Sequence, residues 1–153
     1  MKPTMNFLEA VKTCFGKYVT FSGRARRSEF WWFYLLGMVP GWIMGFLINL
    51  KMAKKAELLT AAYQDLSKYN DIVAQAESFD TFFYIGMAVA VILNLALFIP
   101  MLAAWVRRLH DVGKSGHMLW LILVCGVGGI IPLIMCISDS KPGPNQYGPN
   151  PKE

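Results

Sequence analysis

Cysteine is scarce in this sequence, and the spacing of the few cysteines excludes the sites that this residue usually builds. The three cysteines are Cys14, Cys125 and Cys136, and they form no C-x-x-C pair and no zinc-type spacing. Cys125 and Cys136 are eleven residues apart, about 16 Å along a straight helix, which is too far for a disulfide. We therefore expect reduced, packed thiols, and we predict neither a metal nor any other cofactor.

Charge is absent from three long runs, and this absence excludes an ordinary soluble fold. Residues 30–50, 81–106 and 118–138 contain no Asp, Glu, Lys, Arg or His. A helix rises about 1.5 Å per residue and the hydrocarbon layer of a bilayer is about 30 Å thick, so each run is long enough to span it. Core helices of a soluble protein would show polar positions every three or four residues, and these runs do not. We predict three membrane spans.

The charges that are present lie unevenly in the segments that connect the runs. Residues 1–29 carry six Lys or Arg against two acids, residues 107–117 carry three against one, and together they hold all five arginines. Lys and Arg excess marks the cytoplasmic side of a membrane protein. We therefore predict a cytoplasmic N-terminus and a cytoplasmic 107–117 loop, with the 51–80 link and the tail after Ser138 on the opposite side.

Two segments outside the runs have helical periodicity. In residues 5–20, apolar residues such as Leu8 and Phe15 recur at helical spacing beside lysines. This favours an amphipathic helix in the lipid headgroup plane over a helix packed on the protein's own cytoplasmic surface. In the 51–80 link, apolar residues recur at intervals of three and four, which is typical of a helix outside the membrane.

The third run contains the glycine-rich sequence CGVGGIIP, from Cys125 to Pro132. It could kink one spanning helix or fold the run into a re-entrant hairpin. We favour the kinked span, because the backbone of a hairpin must be shielded by other protein. The hairpin would instead return the tail, residues 139–153, to the cytoplasm, and this Pro/Gly-rich tail can form neither a helix nor an inner strand.

These assignments give one all-α domain of an integral membrane protein over residues 1–153. It is a three-helix transmembrane bundle with an N-terminal amphipathic interfacial helix and an extramembrane helical link. The segments in order are the interfacial helix 5–20, the first span 30–50, the link 51–80, the second span 81–106, the basic cytoplasmic loop 107–117, the third span 118–138 and the tail 139–153.

The loop sequence RRLHDVGKSGH, from Arg107 to His117, is the chemically densest stretch. Asp111 follows the two arginines by four and three residues, so the end of the second helix can carry its own ion pairs. GKS resembles the end of a phosphate-binding P-loop, but the glycine which that motif requires is replaced by Arg108, so we exclude a P-loop. Metal binding by His110, Asp111 and His117 is not favoured, because a glycine-punctuated turn does not guarantee that they converge.

The segments FSGRARRSEFWWF, RRLHDVGKSG and PGPNQYGPNP, in this order around the hydrophobic runs, resemble the family known as domain of unknown function 805, the small YhaH-type inner-membrane proteins of bacteria. The resemblance implies a multi-pass protein of the bacterial inner membrane, and no activity is established for the family. The 51–80 link is longer than is usual for the family. The resemblance singles out Gly23, Arg24, Arg26, Arg27, Glu29, Trp31, Arg107, Arg108, His110, Asp111, Asn145, Tyr147, Gly148 and Pro149.

Two candidate sites follow from the polarity of these residues. The first is a basic face that binds anionic lipid or an acidic partner, formed by Arg24, Arg26, Arg27, Arg107, Arg108 and Lys114. The second is a polar knot at the base of the bundle, formed by Glu29, His110 and Asp111. In this knot Glu29 is expected to pair with Arg107 or Arg108 and so to tie the first span to the second.

Three classes of function remain open at this stage. The preferred one is a small membrane-embedded binding or scaffold protein without enzymatic activity, whose basic cytoplasmic face engages anionic membrane lipid or another protein. The first alternative is an enzyme that acts on a lipid headgroup, with His110 as acid or base and Asp111 orienting it. The second is a subunit of an oligomeric transporter or channel, because three spans offer few polar groups for a pathway. No nucleic-acid platform is predicted, since the basic residues flank spans.

Overall fold

A computed structural model describes residues 3–64, 69–123 and 129–153. Within these ranges it is helical, and it contains no strand beyond one isolated β-bridge, so the all-α prediction is confirmed. The elements in chain order are the helices α1 (Phe7–Gly16), α2 (Arg27–Gln64) and α3 (Tyr69–Asp111), the 3₁₀ helix η1 (Gly116–Leu123) and the helix α4 (Ile130–Ile137).

Helices α2 and α3 are the two described helices that are long and apolar enough to cross a membrane. They contain 38 and 43 residues, so they extend about 57 and 65 Å. Only 11% of the most apolar window of each helix is buried within the protein. The core helix of a soluble protein would be mostly buried, so long helices with exposed apolar surface fit a lipid environment better.

The first two uncharged runs lie inside these helices, and both helices continue beyond the runs. The N-terminal part of the 51–80 link extends α2 to Gln64, and its C-terminal part opens α3 at Tyr69. The described residues of the 51–80 link are therefore helical and continue α2 and α3.

The third uncharged run does not form one continuous helix in the described residues. It contains η1 and α4, each of eight residues, which are about 16 and 12 Å long. Neither can cross a hydrocarbon layer of about 30 Å. The two elements pack against each other, and a Cβ placed on Gly129 would lie 3.9 Å from Ile122 Cγ1. Cys125, Gly126 and Gly128 of the predicted kink lie outside the described residues.

The chain divides into two compact units, which are described separately. The first, here called the head, consists of residues up to Gly37 together with those from Ala96 onward. Its apolar core is built around Phe30 of α2, Leu109 of α3 and Cys136 of α4. The head thus joins the beginning of α2, the end of α3 and the chain that follows it.

The second unit, residues 38–95, is an antiparallel pair of helical segments. Lys51 Nζ lies 3.0 Å from Asp80 Oδ1, and the same ammonium stands over the rings of Phe83 and Tyr84. These contacts join α2 and α3 beyond the end of the first uncharged run. Exposed ion pairs of this kind contribute about 1 kcal/mol or less.

Helix α1 packs on the head through one side only. The Asn6 side chain accepts from the Glu9 amide, and the Glu9 carboxylate accepts from the Asn6 amide. This reciprocal pair is a capping box at the first turn. Ala10 and Cys14 are fully buried, whereas Leu8 is 65% exposed. One face of α1 therefore packs on the protein's own surface, and an apolar face of the same helix remains exposed.

Candidate functional site

The head contains a cluster of buried charges at the point where α2 begins and α3 ends, here called the arginine cluster. The residues that approach it from the N-terminal segment lie just before α2 and in its first turn, and those from α3 lie in its last five residues. The backbone joins the two segments directly, because the Ala25 amide donates to the Arg107 carbonyl at 3.1 Å. The cluster consists of Arg24, Arg26, Glu29, Arg107, Arg108 and Asp111, all of which are less than 10% exposed.

Arg107 and Glu29 form the first buried pair of the cluster. Arg107 Nη2 donates to Glu29 Oε1 at 3.0 Å, and both side chains are at most 4% exposed. Arg107 Nη1 also donates to the carbonyls of Thr20 and Lys17, at 2.6 and 3.2 Å. The ion pair between Glu29 and Arg107 thus joins the beginning of α2 to the end of α3.

Asp111 is the centre of the second buried group. Its Oδ1 accepts from Arg24 Nε at 2.9 Å, and its Oδ2 accepts from Arg108 Nη1 and from the Ser140 hydroxyl. Two guanidinium groups therefore share one carboxylate that is fully buried. Such a carboxylate is expected to be structurally essential, because its removal would leave two buried cations without a counter-ion.

Main-chain carbonyls accept from most of the remaining arginine donors, whereas the buried Arg107 Nε has no hydrogen-bond partner among the described residues. Arg108 Nε donates to the Cys136 carbonyl at 3.1 Å, and its Nη2 donates to the Ser138 carbonyl. Arg108 thereby caps the C-terminal end of α4, where carbonyl groups lack helical partners and favour a cation. The cluster has four buried arginines and two buried carboxylates, an excess of two positive charges that carbonyl dipoles compensate.

The C-terminal tail supplies several of these carbonyls. Arg24 Nη1 donates to the Gly143 carbonyl at 2.7 Å, and its Nη2 donates to the Lys141 carbonyl at 2.6 Å. Arg26 Nε donates to the Pro151 carbonyl at 2.9 Å. These contacts contradict the expectation that the tail lies on the side opposite the arginines, because a tail carried across the membrane would be about 30 Å away.

The burial of the arginines also changes the predicted lipid-binding set. Arg24, Arg26, Arg107 and Arg108 donate to acceptors within the protein and are not exposed to a membrane surface. Of the six cations predicted to bind lipid, only Arg27 and Lys114 are left at the surface. The side chain of Arg27 is 42% exposed and pairs with Asp139 at 2.8 Å, and Lys114 is exposed.

His110 lies beside the cluster but is not paired with Asp111. Its ring stacks flat on Tyr147, with the ring centroids 3.8 Å apart and the planes 3° from parallel. Its Nδ1 lies 3.2 Å from the Gly23 carbonyl, and its own carbonyl accepts from the Asn145 side chain at 2.9 Å. The carboxylate of Asp111 bonds to arginines, so the predicted pair of His110 with an orienting Asp111 is not formed.

An open groove of about 650 Å³ runs beside the stacked rings of His110 and Tyr147. Its walls combine aromatic rings, small hydroxyl side chains and imidazoles. Two of its lining residues are in contact: Ser115 Oγ lies 2.9 Å from His117 Nδ1. In the residues that the structure describes, no three His, Cys, Asp or Glu side chains converge as metal ligands would.

Sequence reasoning identified a contribution of the tail only under the hairpin alternative, in which a cytoplasmic tail could cover the polar knot. Tyr147 and Asn145 were singled out only by the family resemblance, and Ser140 was not singled out at all. The Pro/Gly composition of the tail indicates irregular backbone, whose carbonyls are free to accept from a cation. That signal shows available acceptors but does not identify the arginines that use them.

Comparison with known proteins places the chain among inner-membrane proteins. Residues 18–149 match the family described as "Protein of unknown function (DUF805)". The chain is 31% identical over 135 residues to the inner membrane protein YhaI of Escherichia coli K12, covering 88% of each chain. It is 28% identical over 138 residues to the inner membrane protein YhaH of the same strain, covering 88% of this chain and 89% of that one. No solved structure matches the chain.

Proposed function

This chain belongs to the DUF805 family, and from that premise we propose that it is an inner-membrane binding or scaffold protein with a rigid cytoplasmic head that engages anionic lipid. The observation that carries the proposal is the arginine cluster. Four buried arginines hold the beginning of α2, the end of α3, α4 and the tail in one arrangement. A rigid head of this kind suits a docking surface, because preorganisation lowers the entropic cost of binding.

We propose a topology of two spans, α2 and α3, with both termini on the cytoplasmic side. The packed elements η1 and α4 then lie at the cytoplasmic interface. The support for this topology is the set of tail carbonyls on Arg24 and Arg26, since these arginines precede α2. The excess of Lys and Arg in residues 1–29 and 107–117 favours the cytoplasm for this end.

Contact with anionic lipid is assigned to the cations that the cluster leaves exposed. Lys12 lies on α1 beside the exposed apolar side chains of Leu8 and Phe15. A cation beside an apolar face suits the boundary between headgroups and acyl chains. Arg27 and Lys114 add two further exposed charges to the head, and each cation near an anionic surface contributes about 1 kcal/mol.

A binding role is preferred over a catalytic one. Asp111 is next to His110 in sequence and was the residue expected to orient it. Its carboxylate instead accepts hydrogen bonds from Arg24 and Arg108. His110 Nδ1 contacts the Gly23 carbonyl, which can accept a hydrogen bond but cannot titrate. His110 is therefore treated as part of a binding surface.

The proposal is tested by counting anionic phospholipids that co-purify with the full chain, by native mass spectrometry. A variant with Lys12→Gln, Arg27→Gln and Lys114→Gln should retain several-fold less phosphatidylglycerol and cardiolipin than the wild type. The matched control removes three cations from the other unit, with Lys51→Gln, Lys54→Gln and Lys55→Gln. Equal retention by wild type and head variant, or equal losses in the two variants, would contradict the proposal.

A further inference from the structure

The groove beside the stacked rings of His110 and Tyr147 lies next to the end of a membrane run. One of the residues that line it is Val106, the last residue of the uncharged run 81–106. The charged residues Arg107 and Arg108 follow at once. If α3 spans the membrane, as proposed above, the groove opens where hydrocarbon gives way to headgroups.

The described residues that line the groove carry no formal charge. They are serines, imidazoles, aromatic rings, a glycine and a valine, with no Asp, Glu, Lys or Arg among them. A site for a net anion or a net cation at such an interface would need an opposite charge, because a low-dielectric boundary makes an unpaired ion costly. The lining therefore favours a ligand whose own charges cancel.

His110 presents a hydrogen-bond acceptor to the groove. Its Nδ1 faces the Gly23 carbonyl at 3.2 Å, and a carbonyl can only accept, so Nδ1 carries the proton. In the neutral ring Nε2 is then an acceptor, and no hydrogen bond to it is found among the described residues. Gly116 leaves this atom open, because a Cβ at Gly116 would stand 3.5 Å from it.

The same groove is also lined by hydrogen-bond donors. Ser115 Oγ is 2.9 Å from His117 Nδ1, and Ser22 adds a second hydroxyl to the lining. Hydroxyl and imidazole N–H groups donate to phosphate oxygens. The lining of the groove thus offers both donors and an acceptor.

Aromatic rings complete the site. Trp120 is 65% exposed and Phe21 is 41% exposed, although both line a concave surface. Together with Tyr147 they offer ring faces to a cation, and such contacts contribute about 0.5–2 kcal/mol. An ammonium group could therefore bond to His110 Nε2 and pack against a ring at the same time.

We propose that this groove binds the headgroup of a zwitterionic phospholipid that carries a primary ammonium, the phosphoethanolamine class. The ammonium donates to His110 Nε2 and lies against the aromatic rings, and the phosphate accepts from the Ser22 hydroxyl and from the one free donor of the hydrogen-bonded pair Ser115 and His117. This site is distinct from the exposed cations assigned above to anionic lipid. It depends on the membrane topology proposed above but not on that lipid binding.

The test measures the dissociation constants of single phospholipids from the purified full chain in detergent, by native mass spectrometry. Phosphatidylethanolamine should bind at least tenfold more tightly than phosphatidylcholine, whose quaternary ammonium has no proton to donate. In the three-cation head variant, which lacks the exposed charges assigned to anionic lipid, it should also bind more tightly than anionic phosphatidylglycerol. Equal affinity for the ethanolamine and choline lipids, or a preference for phosphatidylglycerol in that variant, would overturn the assignment.

Two variants locate the binding. Trp120→Ala should weaken phosphatidylethanolamine binding about tenfold, and the matched control is Trp42→Ala, which removes a similarly exposed tryptophan (61%) from the other unit. His110→Phe keeps a flat ring against Tyr147 but removes the acceptor, so it should abolish the preference for ethanolamine over choline. Equal effects of the two tryptophan variants, or an unchanged preference in His110→Phe, would refute the proposal. Loss of anionic lipid in the three-cation head variant would not alter these results, so the two proposals fail separately.

Discussion

Replacing Asp111 by Ala is expected to destabilise the head more than any exposed charge substitution. Asp111 is fully buried and neutralises both Arg24 and Arg108. After the substitution, two guanidinium groups remain buried beside each other without a counter-ion. Their hydrogen bonds to main-chain carbonyls remain, but carbonyl dipoles alone do not replace the formal charge of the Asp111 carboxylate.

The magnitude follows from the cost of breaking a buried ion pair, which is about 3–5 kcal/mol when one partner is removed. Whole domains are stable by about 5–15 kcal/mol, so this loss is a large fraction of the total. At about 2–4 °C per kcal/mol for a chain of this size, the midpoint of thermal denaturation should fall by about 6–20 °C.

The assay is thermal denaturation of the detergent-solubilised chain, followed by size-exclusion chromatography of the remaining folded fraction. Asp139→Ala is the matched control, because Asp139 also pairs with an arginine and a lysine, but its side chain is 59% exposed. Exposed pairs contribute about 0–1 kcal/mol, so the control should shift by less than about 4 °C. Equal shifts for the two variants would show that the buried pairs do not hold the head together.

Three further predictions concern the same unit. Glu29→Leu should destabilise the chain by about 3–5 kcal/mol, because it leaves Arg107 buried without its counter-ion. Glu29→Leu combined with Arg107→Met should cost less, because no charge of this pair is left unpaired. A larger loss in the double variant, measured by the same thermal assay, would contradict this. Burial, and secondarily the Glu29 carboxylate, raises the pKa of the Cys14 thiol from 9.0 to about 12, so its thiolate fraction near neutral pH should be about 1000-fold lower than that of a free thiol. Alkylation of Cys14, followed by mass spectrometry, should therefore be slow in the native chain and fast after unfolding, and similar rates would refute the burial. Gly23→Ala should cost about 1–2 kcal/mol, because Gly23 has φ +86° and the added Cβ meets only open space, so backbone strain alone acts; Gly16→Ala, where φ is not positive, should be neutral or stabilising in the same measurement.

The first two hydrophobic runs predict the long helices α2 and α3, whereas the third run does not by itself specify one structure. The first two runs are uninterrupted by glycine pairs and lie within single helices. Residues 118–138 have the same length and lack of charge, but a run of this kind does not distinguish a span from two short helices that pack on each other. The glycines and Pro132 were the available signal, and they left both interpretations open.

The site was predictable as a set of residues but not as an arrangement. Charge counts place the arginines at one end of the spans, yet they say nothing about burial. Arg24 donates to a carbonyl 119 residues further along the chain. Every residue has a main-chain carbonyl, so the residue types do not show which carbonyl accepts. For the same reason, the separation of Asp111 from its neighbour His110 could not be inferred: a helix directs adjacent side chains to different sides.

The side of the membrane on which the C-terminus lies tests the central claim most directly, namely that the tail and both arginine segments form one cytoplasmic head. The measurement is the reaction of Glu153→Cys with a membrane-impermeant maleimide in spheroplasts, with Lys114→Cys as the cytoplasmic reference and Lys54→Cys as the external one. We predict that Glu153→Cys reacts only after the membrane is permeabilised, as Lys114→Cys does. Reaction of Glu153→Cys in intact spheroplasts, together with Lys54→Cys, would contradict the account.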